Sequence, residues 1–346
     1  MVTAATRRDA RERAIELLYE SETRGIDVDD IVAALPLVPD AYALELAEGV
    51  TDHGVELDAV LARHVRGWSI DRMAVTDRIV LRLGTFELAT KDDIPTGAAL
   101  SEAVELGGLY GSSDDTSRFV NGVLAAVADE VRETRPWKPV ECVVLDMDGV
   151  IRHWLPEYHG EVEARFGLED GLLWRTAFSD PGFRDVTIGT ITAEEWAAQI
   201  GAAIVEGHPD VAADEIAAAW LASNWRIDDD VVALIDGLRD AGTAVALFSN
   251  ASSKLEADLA EIGIDERFVV VANSSRIGLA KPDVAAFRHV AGMLDAEPGA
   301  ILFVDDRREN VAGAVEAGWH SVQMRSAARL GAVLRRLGID GAPDPA

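Results

Sequence analysis

Glu141-Cys-Val-Val-Leu-Asp-Met-Asp-Gly-Val150 decides the fold of the larger part of this chain. A short apolar run leads directly into two carboxylates and a glycine. A run this short, bounded by turn residues, reads as a strand buried on both faces. The same texture returns at Thr243-Ala-Val-Ala-Leu-Phe248 and at residues 268–271, 300–304 and 321–324. Helical stretches at residues 231–241, 254–262 and 284–294 alternate with these later strands. Strand and helix in alternation predict an α/β domain with a doubly wound, Rossmann-type parallel sheet. A helical insertion at about residues 156–225 separates the first strand from the second, and is too long for a simple crossover.

Upstream the texture differs. Leu57, Val60, Leu61 and Val65 fall at helical spacing, as do Ile79, Leu83 and Phe86, and then Val120, Val123, Val127 and Val131. Strand-like alternation is absent, so this part predicts an all-α bundle. Glu133-Thr-Arg-Pro-Trp-Lys-Pro139 cannot continue a helix through its two prolines and reads as a linker. The expected organisation is therefore residues 1–132 helical, 133–139 linker and 140–346 α/β, with the helical insertion at about 156–225.

The 346 residues carry a net charge of −29. Residues 1–137 hold 14 Lys/Arg against 26 Asp/Glu, and the remainder 18 against 35, so neither part is a general polyanion binder. A lone cysteine, Cys142, excludes an intrachain disulfide and suits a reducing compartment. No apolar run approaches the roughly 18 residues that span a bilayer. The N-terminus is charged before any apolar stretch, unlike a signal peptide. A cytoplasmic protein with no membrane contact is expected.

Ligands bind open α/β sheets at the carboxyl ends of the strands. There this sequence places Asp146 and Asp148 after the first strand, Ser249-Asn250 after the second, and Asp305-Asp306 after the fourth. Lys281 precedes the helix leading into that last strand. Converging carboxylates repel unless a cation sits among them, and all-oxygen ligation favours Mg²⁺. A lysine and a hydroxyl beside such a site suit a transferring phosphoryl group. The chemistry anticipated is attack of an aspartate on phosphorus, with a neighbouring acid moving protons.

These residues resemble, in order and spacing, the four motifs of the haloacid dehalogenase (HAD) superfamily. The resemblance implies Asp146 as the nucleophile that becomes phosphorylated and Asp148 as general acid/base. It implies that Ser249 and Asn250 hold the phosphoryl oxygens and that Lys281 stabilises the phospho-enzyme. Mg²⁺ would bind the Asp146 carboxylate, the Asp148 carbonyl and Asp306, with Asp305 in support. Dehalogenases of this superfamily lack an acid two residues after the nucleophile, so Asp148 points to phosphate monoester hydrolysis. The insertion resembles the helical caps of HAD phosphatases, with Thr192 and Glu195 suited to a capping box. Arg152, His153, Trp154 and Arg175 are candidates for contact with a small phosphorylated metabolite. Analogy with similar caps suggests a sugar phosphate.

In the helical part the clearest chemical feature is Arg7, Arg8, Arg11 and Arg13 on the first helix. By residues alone this is either a solvated helix face or a nucleic-acid contact. Arg7-Arg-Asp-Ala-Arg-Glu-Arg-Ala-Ile-Glu-Leu-Leu-Tyr19, Asp77-Arg-Ile-Val-Leu-Arg-Leu-Gly-Thr-Phe-Glu-Leu88 and Phe119-Val-Asn-Gly-Val-Leu124 resemble the NusB family of transcription antitermination factors. That resemblance implies an all-α RNA-binding module recognising boxA-type RNA with ribosomal protein S10 (NusE). Arg7, Arg8 and Arg11 would then approach the phosphate backbone. Gly107-Gly108 stands where the family has Ala-Lys, and Asp114 and Asp115 add negative charge nearby. The sequence leaves two functional weightings: a phosphatase carrying an RNA-binding module, or an antitermination or rRNA-processing factor with an auxiliary HAD domain.

Overall fold

The computed structural model describes residues 6–65, 67, 69–134, 140–179, 181–222 and 224–341. The chain divides into two compact units between Lys138 and Pro139. The expected linker lies outside the described residues except at its start, where the last helix of the first unit runs on to Thr134.

In the first unit seven α-helices form among the described residues. They are α1 (Arg7–Arg24), α2 (Val28–Ala33), α3 (Ala41–Asp52), α4 (Gly54–His64), α5 (Val75–Thr90), α6 (Thr96–Tyr110) and α7 (Thr116–Thr134). A reciprocal capping box between Thr6 and Asp9 starts α1 and satisfies two otherwise orphaned amide donors. The helices close around one core that includes Leu17, Leu46, Leu61, Leu83, Phe86 and Val127. Phe86 on α5 presses against Gly49 of α3 so closely that a Cβ there would overlap the ring. The residues at helical spacing along α4, α5 and α7 are those that build this core, as their periodicity requires.

The second unit is a five-stranded parallel sheet, order β5-β4-β1-β6-β7, joined by a two-stranded antiparallel ribbon, β2-β3. The strands are β1 (Cys142–Leu145), β2 (Arg152–Trp154), β3 (Trp225–Ile227), β4 (Ala244–Ser249), β5 (Val271–Asn273), β6 (Ile301–Asp305) and β7 (His320–Gln323). Successive side chains point to opposite faces of the sheet. Val143 and Leu145 accordingly join a core with α13 (Asp229–Asp240), α14 (Leu255–Ile262) and α18 (Ala327–Arg336). Cys142 and Val144 join Phe248, Phe287 and Phe303 on the other face, under α16 (Val284–Leu294) and α17 (Arg308–Glu316). A short α15 (Ser274–Ile277) follows β5.

The cap occupies the expected insertion: α8 (Pro156–Phe166), α9 (Leu172–Ala177), α10 (Gly182–Thr187), α11 (Ala193–Gly207) and α12 (Ala213–Leu221). It has its own core around Leu173, Ile200, Ile204 and Ile216. The Thr192–Glu195 capping box forms at the start of α11. Two features differ from the sequence reading. The ribbon was not foreseen; its three-residue strands pair Trp154 with Trp225 across the whole cap, leaving no local periodicity to read. The third sheet strand falls at Val271–Asn273 instead of residues 268–271. It is an edge strand, Val269 is exposed, and the ladder runs on into Asn273, whose side chain caps α15.

Candidate active site

β1 lies at the centre of the sheet, and the chain leaves it toward β4 on one side and β6 on the other. Because all five strands are parallel, their carboxyl ends share one edge, and β1 is the topological switch point. Asp146 follows Leu145 there, buried, its Oδ1 accepting a 2.7 Å hydrogen bond from the Met147 amide. Lys281 Nζ, also buried, lies 2.9 Å from Asp146 Oδ1 and 2.6 Å from Asp305 Oδ2. Carboxylate oxygens of Asp146, Asp305 and Asp306 come within 4.8 Å of one another.

One ammonium cannot neutralise three carboxylates. Burial raises the Asp146 carboxyl to about 7, opposed by Lys281 and reinforced by Asp305. Burial, then Asp305, raises Asp306. Lys281 is shared by two carboxylates, and their joint pull outweighs its own burial and keeps it charged. The excess of negative charge and the hard oxygen donors fit a divalent cation such as Mg²⁺. Two further observations agree. Gly149, at φ +85°, lets the Asp306 carboxylate come so close to the nucleophile loop that a Cβ there would overlap it. Ser249 Oγ is buried without a hydrogen-bond partner at the end of the neighbouring β4. An orphaned buried hydroxyl is costly unless a ligand completes it.

The remaining candidates fall into distinct places. Asp148 sits outside the carboxylate cluster, gripped by Arg152 through Nε–Oδ1 and Nη2–Oδ2 bonds of 2.7 and 3.1 Å. The other side of the Arg152 guanidinium donates to Asp258 at 2.7 Å. Asn250 clamps the Lys281 backbone, donating to its carbonyl and accepting from its amide, both at 2.8 Å. Asp305 is fully buried, with its oxygens engaged by Lys281, Asn310 Nδ2 and the Arg307 amide. It therefore anchors Lys281 first and faces the cation site second. Asn310 and Asp258 were missed in the sequence. Asn310 stands five residues beyond Asp305 on the first turn of α17, a spacing that could have suggested it; Asp258, 106 residues from its partner, left no such signal.

Two substrate candidates do not reach the cavity under the cap. Arg175 projects from the outer face of α9, its side chain 60% exposed and directed to Glu169 and the Asp170 carbonyl. His153 alternates away along the ribbon toward Asp228, 3.6 Å off. Arg152 and Trp154 do line that cavity. In the first unit, Arg11 is not a phosphate contact: it is buried, with Nε 2.9 Å from Glu87 Oε1 and Nη1 3.4 Å from Glu102. Glu87 also accepts from the Tyr42 hydroxyl. Arg8 bonds Glu12, Glu105 and Glu102, which raise its pKa, and the exposed Arg7 pairs with Asp93 at 2.7 Å. Periodicity put these arginines on one helix; it could not show the glutamates arriving from α5 and α6.

A switch-point aspartate paired with a buried lysine, beneath a ribbon-borne helical cap, defines a capped α/β hydrolase preceded by a helical module. Comparison with known proteins gives the families. The haloacid dehalogenase-like hydrolase family matches residues 140–318 and the NusB family residues 8–129. The chain thus belongs to the haloacid dehalogenase-like hydrolases and, through its first unit, to the NusB family. The transcription antitermination protein NusB of Kineococcus radiotolerans is 44% identical over 135 residues, covering 38% of this chain and 97% of that protein. Its counterpart from Saccharopolyspora erythraea is 42% identical over 137 residues, covering 37% and 92%. Among solved structures, T. maritima NusB is 31% identical with a TM-score of 0.35, covering 38% of this chain and 98% of that one. A HAD family enzyme from Bacteroides thetaiotaomicron, in complex with magnesium and inorganic phosphate, is 20% identical with a TM-score of 0.43, covering 54% and 94%.

Proposed function

We propose that the second unit hydrolyses phosphate monoesters through a phospho-aspartate at Asp146, and that the first unit brings it to RNA. The observation that carries the enzymatic reading is the unpartnered Ser249 hydroxyl, buried on the strand beside the Asp146–Lys281 pair. In the first step an Asp146 carboxylate oxygen attacks phosphorus, the ester P–O bond breaks, and Asp148 gives its proton to the departing alcohol. In the second, Asp148 takes a proton from water as that water attacks phosphorus, releasing phosphate and restoring Asp146. Ser249 Oγ and the Asn250 backbone N–H donate to phosphoryl oxygens, while Lys281 offsets their charge. Arg152 fixes the plane of the Asp148 carboxyl, and the clamp from Asn250 holds the Lys281 backbone. Asp146, Asp306 and the Asp148 carbonyl are the groups that would hold Mg²⁺, which when bound adds positive charge against the phosphoryl oxygens. Purified protein should turn over p-nitrophenyl phosphate in Mg²⁺ and lose at least nine-tenths of that rate, roughly a tenfold change, when EDTA removes the metal. Equal turnover with and without metal would sink the metal-dependent reading.

The second reading, an antitermination or rRNA-processing role, is favoured by the match to nearly the full length of NusB relatives. On this reading the protein acts in the cytoplasm, with boxA-type RNA and ribosomal protein S10 as its partners. Since Arg8 and Arg11 are engaged by partly or fully buried glutamates, Arg7, whose pair with Asp93 is exposed, and the outer edge of Arg8 are the arginines of this face best placed to meet phosphate. RNA retention should be weak, with the shallow salt dependence that one or two phosphate contacts give. Reversing Arg7 and Arg8 to Glu should reduce retention about tenfold or more at low salt without changing phosphatase turnover. Retention unchanged by the double reversal would exclude this face.

A further inference from the structure

The cap and sheet edge enclose a cavity of about 110 Å³ that opens beside Asp148 and Asn250. Its wall is aromatic: Trp154 and Trp225 from the ribbon, Trp174 and Phe178 from α9 and its end, and Trp196 and Trp220 from α11 and α12. Trp174 and Phe178 pack closely with their rings tilted, centroids 4.4 Å apart at 36°. Both stand outside the buried core of the cap and remain 38% and 39% exposed, whereas most large apolar side chains of this unit are covered. An uncovered aromatic pair at the mouth of a reaction site gains by being covered.

The larger polar groups on the wall are already engaged. Arg152 holds Asp148 and Asp258; Lys254 Nζ donates to the Leu221 carbonyl at 2.8 Å. Asn250 is spent on the Lys281 backbone, Thr187 Oγ1 on the Phe183 carbonyl, and Trp196 Nε1 on the Ala177 carbonyl. A polyhydroxylated alcohol would leave its water behind and find most of these side chains already committed, which disfavours it. A flat apolar group would lose little and stack on the rings. The volume is on the scale of a single ring, since an apolar cavity of about 150 Å³ takes up benzene.

We propose that the leaving alcohol ends in a flat, apolar ring, and that the aromatic wall under the cap selects it over sugar phosphates. This rests on the phosphatase reading and narrows it. Ester and water give the ring-bearing alcohol and inorganic phosphate, with no redox partner. The test uses the full chain with Mg²⁺ and three esters of primary aliphatic alcohols: 2-phenylethyl phosphate, glycerol 3-phosphate and glucose 6-phosphate. Because the leaving groups are chemically alike, kcat/KM reports recognition. The expected result is a preference of about tenfold or more for 2-phenylethyl phosphate over either competitor. Trp174→Ala should cut that ratio about tenfold, and Phe178→Ala should act in the same direction. Arg175→Ala, outside the cavity, should leave the ratio alone. A ratio measured on one sample does not depend on how much of it is folded. Equal or better turnover of glycerol 3-phosphate or glucose 6-phosphate overturns the proposal, as does a ratio indifferent to both aromatic substitutions. Turnover of p-nitrophenyl phosphate without turnover of 2-phenylethyl phosphate overturns the ring alone; no turnover of either overturns the phosphatase reading with it.

Discussion

Asp146→Asn should abolish phosphate ester turnover, with a loss of about 10⁴-fold or more, because the amide cannot form the phospho-enzyme bond. The fold should survive and, in EDTA, gain stability above acidic pH. In the wild-type protein burial raises this carboxyl to about 7, against about 3.9 for an exposed aspartate. Below about pH 4 both states are protonated and the residue contributes nothing to the difference. As pH rises toward 7 the unfolded chain releases its proton while the folded chain keeps it, so wild-type stability falls, by at most about 1.4 kcal/mol per pH unit. Above 7 the penalty levels off. Asparagine escapes it, so the melting-temperature gain of the variant over wild type in EDTA should grow between pH 4 and pH 7 and then plateau. Added Mg²⁺ should stabilise the wild type more than the variant. A difference that does not change with pH, or turnover within a hundredfold of wild type, contradicts the role given to Asp146.

What the sequence disclosed follows from where signals are local. β1, β4 and β6 are central strands covered on both faces, so their residues are uniformly apolar and their ends show as abrupt polarity: Asp146, Ser249, Asp305. The parallel order then gathers those ends without further information. Pairings between distant segments were not legible. The grip of Arg152 on Asp148 and Asp258 joins three elements, and only its four-residue span is local. The Arg11–Glu87 pair turned an expected RNA contact into a buried strut, because helical spacing places a residue on a face without saying what the face meets. The aromatic wall was partly visible: Trp154 read as a candidate for substrate contact and does line the cavity, whereas Trp220 both serves the cap core and lines the cavity. Arg175 read as a ligand group through its charge, yet on α9 the cavity receives the neighbouring Trp174 instead.

Lys281→Met tests the charge balance from the opposite side. Methionine keeps the length and loses the ammonium, leaving Asp146 and Asp305 buried with no cation between them. Removing one partner of a buried pair costs about 3–5 kcal/mol, because the charge left behind stays desolvated. The variant should therefore be strongly destabilised in EDTA at pH 8 and should lose turnover by about 10³-fold. The pH dependence has a definite sign. Without the lysine nothing opposes the burial that raises the Asp146 carboxyl, so it is raised further above its unfolded value. The missing stability should return as pH falls from 8 toward 4, where the folded protein can bind the protons that replace the ammonium. Adding Asp305→Asn should recover part of the loss at pH 8, since it removes one of the two facing charges, and double-mutant coupling should measure the recovery. Arginine is no substitute, because a planar guanidinium cannot occupy the enclosed space of a compact ammonium between two carboxylates and two phenylalanine rings. If Lys281→Met melts as the wild type does at pH 8 without metal, the lysine is not what holds these carboxylates together, and the site must be neutralised in some other way.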